Sequence, residues 1–498
     1  MSLRERLSGL FGGREEVDLT DGGIGWPLFY LSLPIVVTNL LQTAYNLADT
    51  FWLGQYSTTA LAAITFAFPM VFLLISLGMG VSVAGSILVA QNTGKGDERA
   101  AEYAASQTVT FSILVSVAAG ALGFFVVDDL LGLLGASAET LPAAASYMQV
   151  IALGLPFMFG FFIFISLMRG AGDTVTPMLV MLGTVVLNIL IDPILIFGFD
   201  GNPLFSILGL EGLEASLLSA TGYTGSGIAG AAIATIVSRA LAMVVGLAIM
   251  FRGRRGIQIH LRDMGPDLEY AERIVKLGVP ASIEGTGRAL SVNLFLVIVA
   301  LFPQTVVAAF GIGVRVFSVI FLPAIAVGRG VETMAGQNIG AGKPDRAAKS
   351  AGIASGAMFL ILSAMGLVVF AFPEPIVNAF TGDQEVVEVG AEFLRWVAPS
   401  FGFIGVLRAY TGAFRGAGKT LVAAVISIAT LAVIRLPFAW VASQYFPEFF
   451  PVARQGVWAA FLVSNALGAL IAFTWYRTGS WRDADATAGA RGAPTDDD

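Results

Sequence analysis

The sequence predicts an all-α polytopic membrane protein, with twelve transmembrane helices in two six-helix bundles of the same topology. Three observations carry this expectation. Of 498 residues, 56% are hydrophobic and only 13% are charged, and the mean hydropathy is +0.80. Soluble domains carry about 25% charged residues. Second, Pro34 and Pro280, Ala62-Ala63 and Ala308-Ala309, the turns 91–96 and 337–342, and the turns 169–174 and 415–420 are each separated by 246 residues. A fixed spacing across four landmarks implies two equivalent folded units. Third, lysine and arginine fall on alternate connections.

A helix needs about 20 apolar residues to cross the hydrocarbon core. The apolar runs 28–53, 60–90, 103–125, 146–168, 175–198 and 226–251 supply six spans, and 277–300, 306–335, 351–372, 391–414, 419–442 and 454–476 supply six more. The chain divides accordingly: an N-terminal segment 1–27, a first lobe 28–255, a linker 256–276, a second lobe 277–476 and an acidic tail 477–498 expected to be disordered. Connections 54–59, 126–145, 200–224 and 301–305 hold no Lys or Arg. Lys95, Arg99, Arg169, the run from Arg252 to Lys276, Lys343, Arg346, Lys349, Arg415, Lys419 and Arg477 occupy the alternate connections and the C-terminal end. The positive-inside rule places both termini in the cytoplasm of a cell-membrane protein. An even number of spans per repeat gives both lobes the same orientation, related by an axis along the membrane normal.

Composition also excludes. The absence of cysteine rules out disulfides and thiolate metal sites, and the single histidine, His260, reads as a solvated loop residue. The polar, mixed-charge start, residues 1–21, does not resemble a cleavable signal. The Arg-Gly-Ala-Gly turns lack a Walker ending and a preceding strand, so nucleotide binding is not expected. Only 5 of 28 basic residues are lysine and the pI is about 5.0, which suggests a host with a salty cytoplasm.

The informative residues are polar ones inside the spans. Asn39, Gln42, Asn46 and Asp49 are spaced 3, 4 and 3 apart and share one face of the first span, with Thr38 and Tyr45 beside them. In the fifth span Thr184, Asn188 and Asp192 also share a face. At about 1.5 Å per residue, both acids lie about 8–9 Å below the outer boundary. An ionisable residue in a span is costly, so function is the default expectation. A buried carboxyl pair can take up and release a proton, and with amide oxygens it can coordinate a small hard cation such as Na⁺. The bland reading is that each Asp caps or pairs within the bundle; spans one and five offer no Lys or Arg for that. Pro34, ahead of the stripe, permits a kink that is either a static bend or a hinge. In the second lobe Glu284 and Arg288 have ion-pair spacing and are either structural or a second ion or substrate locus. Arg239 carries the same ambiguity, while Arg329 and Glu332 could snorkel at the cytoplasmic end. The repeat spacing places Phe295 opposite Asp49 and Phe438 opposite Asp192. The scaffold repeats; the acids do not.

The segments 33–54, 90–101, 168–174, 186–198, 227–239, 335–348 and 414–420 together resemble the multidrug and toxic compound extrusion (MATE) transporters, in the DinF-related archaeal and bacterial branch. The resemblance covers about residues 25–476. It implies two bundles facing each other across a cavity, and secondary active export of organic cations and drugs against H⁺ or Na⁺, by a monomer without cofactor, enzymatic activity or nucleic-acid partner. It assigns ion coupling to Asp49, Asn188 and Asp192, the kink to Pro34, and neighbouring polar positions to Gln42, Tyr45 and Thr235. Other branches use acids in the seventh and tenth helices. Here Glu284 can match the first of these, but the tenth span has no acid past Glu392. Rival expectations are a lipid-linked precursor flippase, which would show a large cationic cavity, an intramembrane aspartyl protease, and a non-transporting sensor or scaffold.

Overall fold

A computed structural model describes residues 18–133, 140–445 and 452–487. Arg4, Arg6, Arg14, and residues 488–498 of the tail with Arg491 lie outside the described residues, as does 134–139 of the third connection. No strand occurs among the described residues. Among the described residues eleven helices are long and apolar enough to cross a membrane. They are α1 (Gly25–Tyr56), α2 (Thr58–Lys95), α3 (Glu98–Leu133), α4 (Leu141–Gly170), α5 (Val175–Phe197), α6 (Gly227–Arg252), α7 (Leu268–Val299), α8 (Gln304–Gly340), α9 (Pro344–Ala371), α11 (420–445) and α12 (Ala453–Arg477). The remaining crossing, α10 (384–416), is broken by a 3-10 turn at Ala398–Ser400, where Pro399 interrupts the backbone ladder. In α11 the residues Ala429–Arg435 form a π-helical stretch between two α-helical pieces. The helices run several residues beyond the apolar runs because polar turns extend them past the hydrocarbon core.

α1 to α6 pack on one another as one bundle and α7 to α12 as another, with most contacts between them made by α1, α2, α7 and α8. Glycine makes these contacts close. A Cβ on Gly80 of α2 would lie 2.5 Å from the Gly278 carbonyl oxygen of α7, and one on Gly330 of α8 would lie 2.6 Å from Ser32 Oγ of α1.

At one end the repeat becomes a reciprocal seam. Gln91 Nε2 donates to the Gly416 carbonyl at 3.0 Å, and Gln337 Nε2 donates to the Gly170 carbonyl at 3.0 Å. A Cβ on Gly94 would sit 1.9 Å from the Gln337 carbonyl oxygen, and one on Gly340 would sit 1.9 Å from that of Gln91. Each member of these contacts is the other's equivalent at a spacing of 246. The turns beside them are equivalent too, with positive φ at Gly96 and Gly342 and at Gly172 and Gly418.

Residues 19–23 and 481–486 strap this seam. Asn338 donates to the Leu19 carbonyl at 3.0 Å, and Arg346 donates to the carbonyls of Leu19, Gly22, Asp21 and Gly23. At the other terminus Trp481 is buried against Tyr476, with ring centroids 4.4 Å apart. Lys95 pairs with Asp485 at 2.9 Å, and the Ala486 N–H donates to Gln91 at 2.8 Å. Residues 478–487 therefore pack on the protein, against the expectation of a disordered tail; 488–498 lie outside the described residues.

The linker docks on α3. Gln107 donates to the Asp263 and Gly265 carbonyls at 2.6 and 2.7 Å, and Tyr103 donates to Asp267 at 3.0 Å. His260 is half-buried, with Nε2 3.1 Å from Glu102, and is more engaged than a solvated loop residue. Arg99 holds Asp263 in a two-pronged pair, and its hydrogen bond keeps the Asp263 carboxyl below the ordinary aspartate range. A depressed carboxylate stabilises the fold above its unfolded pKa of about 3.9 and loses that contribution as pH falls through the folded value. Linker docking should therefore persist at mildly acid pH and weaken progressively as pH falls below about 4 toward the depressed folded value. Asp263→Asn should release the linker at neutral pH, which hydrogen exchange of 256–267 would read as faster exchange.

Candidate functional site

The acids of α1 and α5 meet. Asp49 is 8% exposed and Asp192 is fully buried. Their carboxyls are neighbours across the packed α1–α5 contact. Asn188, one turn before Asp192 on the same face of α5, donates Nδ2 to Asp192 Oδ1 at 3.0 Å. Thr235 of α6 approaches Asp49 Oδ2 at 3.5 Å. Three buried acceptors remain without a hydrogen-bond partner: Asp49 Oδ1, Asp192 Oδ2 and Asn188 Oδ1. Acceptors that gather in an enclosed space without donors are satisfied by a proton or by a small cation. Two neighbouring carboxylates have the same requirement, because their like charges repel unless a proton or cation lies between them. No cluster of three or more His, Cys, Asp or Glu residues suited to a metal occurs among the described residues. Any cation here would be held by two carboxylates and an amide.

In front of Asp49 opens a cavity of about 650 Å³. Gln42, Tyr45, Asn46 and Asp49 of α1, Tyr147 of α4, and Thr235 and Arg239 of α6 line it, with Phe72, Met158 and Phe162 as apolar wall. It reaches Leu61 and Thr65 in the first turns of α2, the end remote from the seam. Asn188 and Asp192 are absent from this lining and sit behind Asp49. Asp49 is thus the contact between cavity and buried pair.

Two readings from the residues change. Thr184 does not join the pocket; its hydroxyl donates to the Val180 carbonyl at 2.8 Å, one turn back on its own helix. Thr430, its repeat equivalent, does the same with Ile426 at 2.7 Å, so this bond belongs to the scaffold. And although spans one and five carry no cation, α6 delivers one. Arg239 donates to Gln42 Oε1 at 2.8 Å and lies over the rings of Tyr45 and Phe161, 4.6 and 5.2 Å from their centroids. Its position four residues after Thr235 is the signal that could have placed it here. Gln42 passes the contact on, donating to Asn46 at 3.0 Å.

α1 continues unbroken through Pro34. Proline lacks an N–H, so the Tyr30 carbonyl one turn earlier loses its donor. The Thr174 hydroxyl approaches that carbonyl at 3.5 Å, and Thr38 donates to the Pro34 carbonyl at 2.8 Å. The proline is thereby linked to the 169–174 turn, where Asp173 caps α5 through the Val175 and Thr176 N–H groups.

The second bundle has no counterpart of the acidic pair. Phe295 is buried among Phe310 and Phe461, with centroids 5.6 and 5.0 Å away, and Phe438 packs on the same cluster. Glu284 is saturated by Arg415 at 3.1 Å, Arg288 at 3.2 Å and Ser427 at 2.9 Å. That favours the structural reading of Glu284 and Arg288 over an ion locus. Arg329 and Glu332 do not snorkel: they pair at 2.9 Å, and Glu332, 1% exposed, also meets Arg415 at 3.0 Å. Their positions on α8 turn them inward to other charges.

The fold and this site define a polytopic membrane protein with a buried acidic pair beside a cavity in one of two similar bundles. The MatE family profile matches residues 34–194 and 280–441, and the chain belongs to that family. It is therefore a transporter and not an enzyme. It is 28% identical over 466 residues to a probable multidrug resistance protein, YpnP, of Bacillus subtilis, covering 93% of this chain and 97% of that one. It is 26% identical over 422 residues to a FAD transporter of Shewanella oneidensis, covering 84% and 88%. Its fold matches an outward-facing multidrug resistance MATE family transporter with a TM-score of 0.81 at 22% identity, over 94% of this chain and 98% of the other.

Proposed function

We propose that this chain exports amphipathic organic cations and drugs across the cell membrane by alternating access, driven by inward flow of H⁺ or Na⁺. One observation carries the reading: three unpartnered acceptor oxygens of Asp49, Asp192 and Asn188, of which Asp49 lines the cavity. An entering ion neutralises the pair. The Asp49–Thr235 contact then loosens, the polar chain through Gln42 and Asn46 rearranges, and α1 bends at Pro34. A cationic substrate loses its counter-charge and leaves outward. The aromatic and methionine walls suit apolar drug bodies of varied shape. Basic-residue placement orients the seam and both termini toward the cytoplasm. The seam then closes the cytoplasmic side while the cavity reaches the outer end. The protein acts as a monomer, with the second bundle as opposing wall.

Uptake into inverted vesicles, whose lumen corresponds to the cell exterior, driven separately by a pH gradient and by a Na⁺ gradient, tests the proposal. One gradient should drive export of a fluorescent organic cation; failure of both, with protein present in the membrane, contradicts it. Arg239 supplies a further expectation. Its charge near Asp49 competes with an arriving cation, so Arg239→Gln should lower the coupling-ion concentration for half-maximal efflux severalfold and slow turnover by retarding ion release. An unchanged ion dependence would place Arg239 outside the coupling.

A further inference from the structure

A second cavity, of about 200 Å³, lies where the bundles meet, between Phe72, Met79 and Val83 of α2 and a cluster of arginines from α7, α8 and α10. Its charges do not balance. Arg415 bridges Glu284 and Glu332 at 3.1 and 3.0 Å, Arg288 meets Glu284 at 3.2 Å, and Arg329 meets Glu332 at 2.9 Å. Both glutamates are thus engaged by those arginines. Arg408 is a further cation: it lines the cavity, is 9% exposed, and has no carboxylate within ion-pair distance and no side-chain hydrogen bond among the described residues. The Phe321 ring lies 4.6 Å from its guanidinium, covering one face. Stacking leaves the in-plane N–H groups free, and these form the fork that matches an oxyanion. A buried cation with unmet donors is costly unless something completes it.

We propose that this cavity is a binding site for an oxyanion, a carboxylate or a phosphate group, held by Arg408 within the positive field of Arg288 and Arg329. The α2 side chains Phe72, Met79 and Val83 offer an apolar wall for a hydrophobic body attached to that group. The site is separate from the Asp49–Asp192 pair and does not depend on ion coupling.

Binding to the purified full-length protein in nonionic detergent, at constant chloride, tests this without any gradient. Benzoate reports a carboxylate, inorganic phosphate a free phosphate, and short-chain phosphatidic acid a lipid headgroup. At least one should bind saturably to wild type and equally to Asp49→Asn, and should weaken at least about tenfold in Arg408→Gln, because a charge-assisted fork is lost. If Arg408→Gln does not fold, Arg408→Lys keeps the charge without the fork and should weaken binding at least about threefold. Absence of saturable binding by all three probes, or equal affinity in a folded Arg408 variant, overturns the site. Loss of efflux in Asp49→Asn with oxyanion binding intact would separate this proposal from the export mechanism.

Discussion

Asp49→Asn should reduce ion-driven efflux to the level of protein-free vesicles while leaving the protein folded and inserted. The substitution is nearly isosteric and removes only the charge that an incoming ion must neutralise. Asp49 is both the cavity-facing member of the pair and the partner of Thr235, so no other carboxylate can substitute for it. Asp192→Asn should have a similar effect on transport with less effect on substrate binding, because Asp192 is sealed behind Asp49. Efflux in reconstituted vesicles, together with equilibrium substrate binding, checks both. Normal efflux by folded Asp49→Asn would remove this pair from the mechanism.

The second large effect should come from the seam. Gly94→Ala or Gly340→Ala places a methyl group where the opposing carbonyl oxygen already lies, 1.9 Å from the ideal Cβ in each case. Overpacking typically costs about 1–3 kcal/mol, which is roughly five- to 150-fold in the balance between closed and open seam. The state open at this end should therefore gain population and efflux should fall. The chain has no cysteines, so spin labels at Glu98→Cys and Lys349→Cys, both exposed and on opposite bundles, can report the separation directly. The label distance should lengthen in either glycine variant. Gly352→Ala, with open space around its Cβ, serves as the control and should leave the distance unchanged.

Much of this was legible in the residues because membrane spans make polar side chains conspicuous. Asp49, Asn188 and Asp192 stood out against apolar helices, and their helical spacing fixed the faces they share. The 246-residue repeat marked the turns 91–96 and 337–342. It could not reveal that Gln91 and Gln337 cross to each other's bundle, since that depends on how two glycines allow the helices to approach. Thr184 misled because its spacing is right, yet a threonine inside a helix can satisfy its hydroxyl one turn back. Arg239 was missed as the neighbour of Gln42 because the search for a counter-charge stayed within the acids' own helices. Arg329 and Glu332 looked peripheral by sequence depth. Their burial follows from the way α8 and α10 meet, which no single-helix pattern encodes.

The central claim is that Asp49, Asp192 and Asn188 form the coupling-ion site, and ion binding to the purified transporter tests it most directly. Na⁺ titration by calorimetry at constant ionic strength, paired with a pH dye in weak buffer to follow proton exchange, covers both candidate ions. The account predicts saturable binding of one of them by wild type and its disappearance in the Asp49→Asn/Asp192→Asn double variant. Equal binding by wild type and the folded double variant would contradict it.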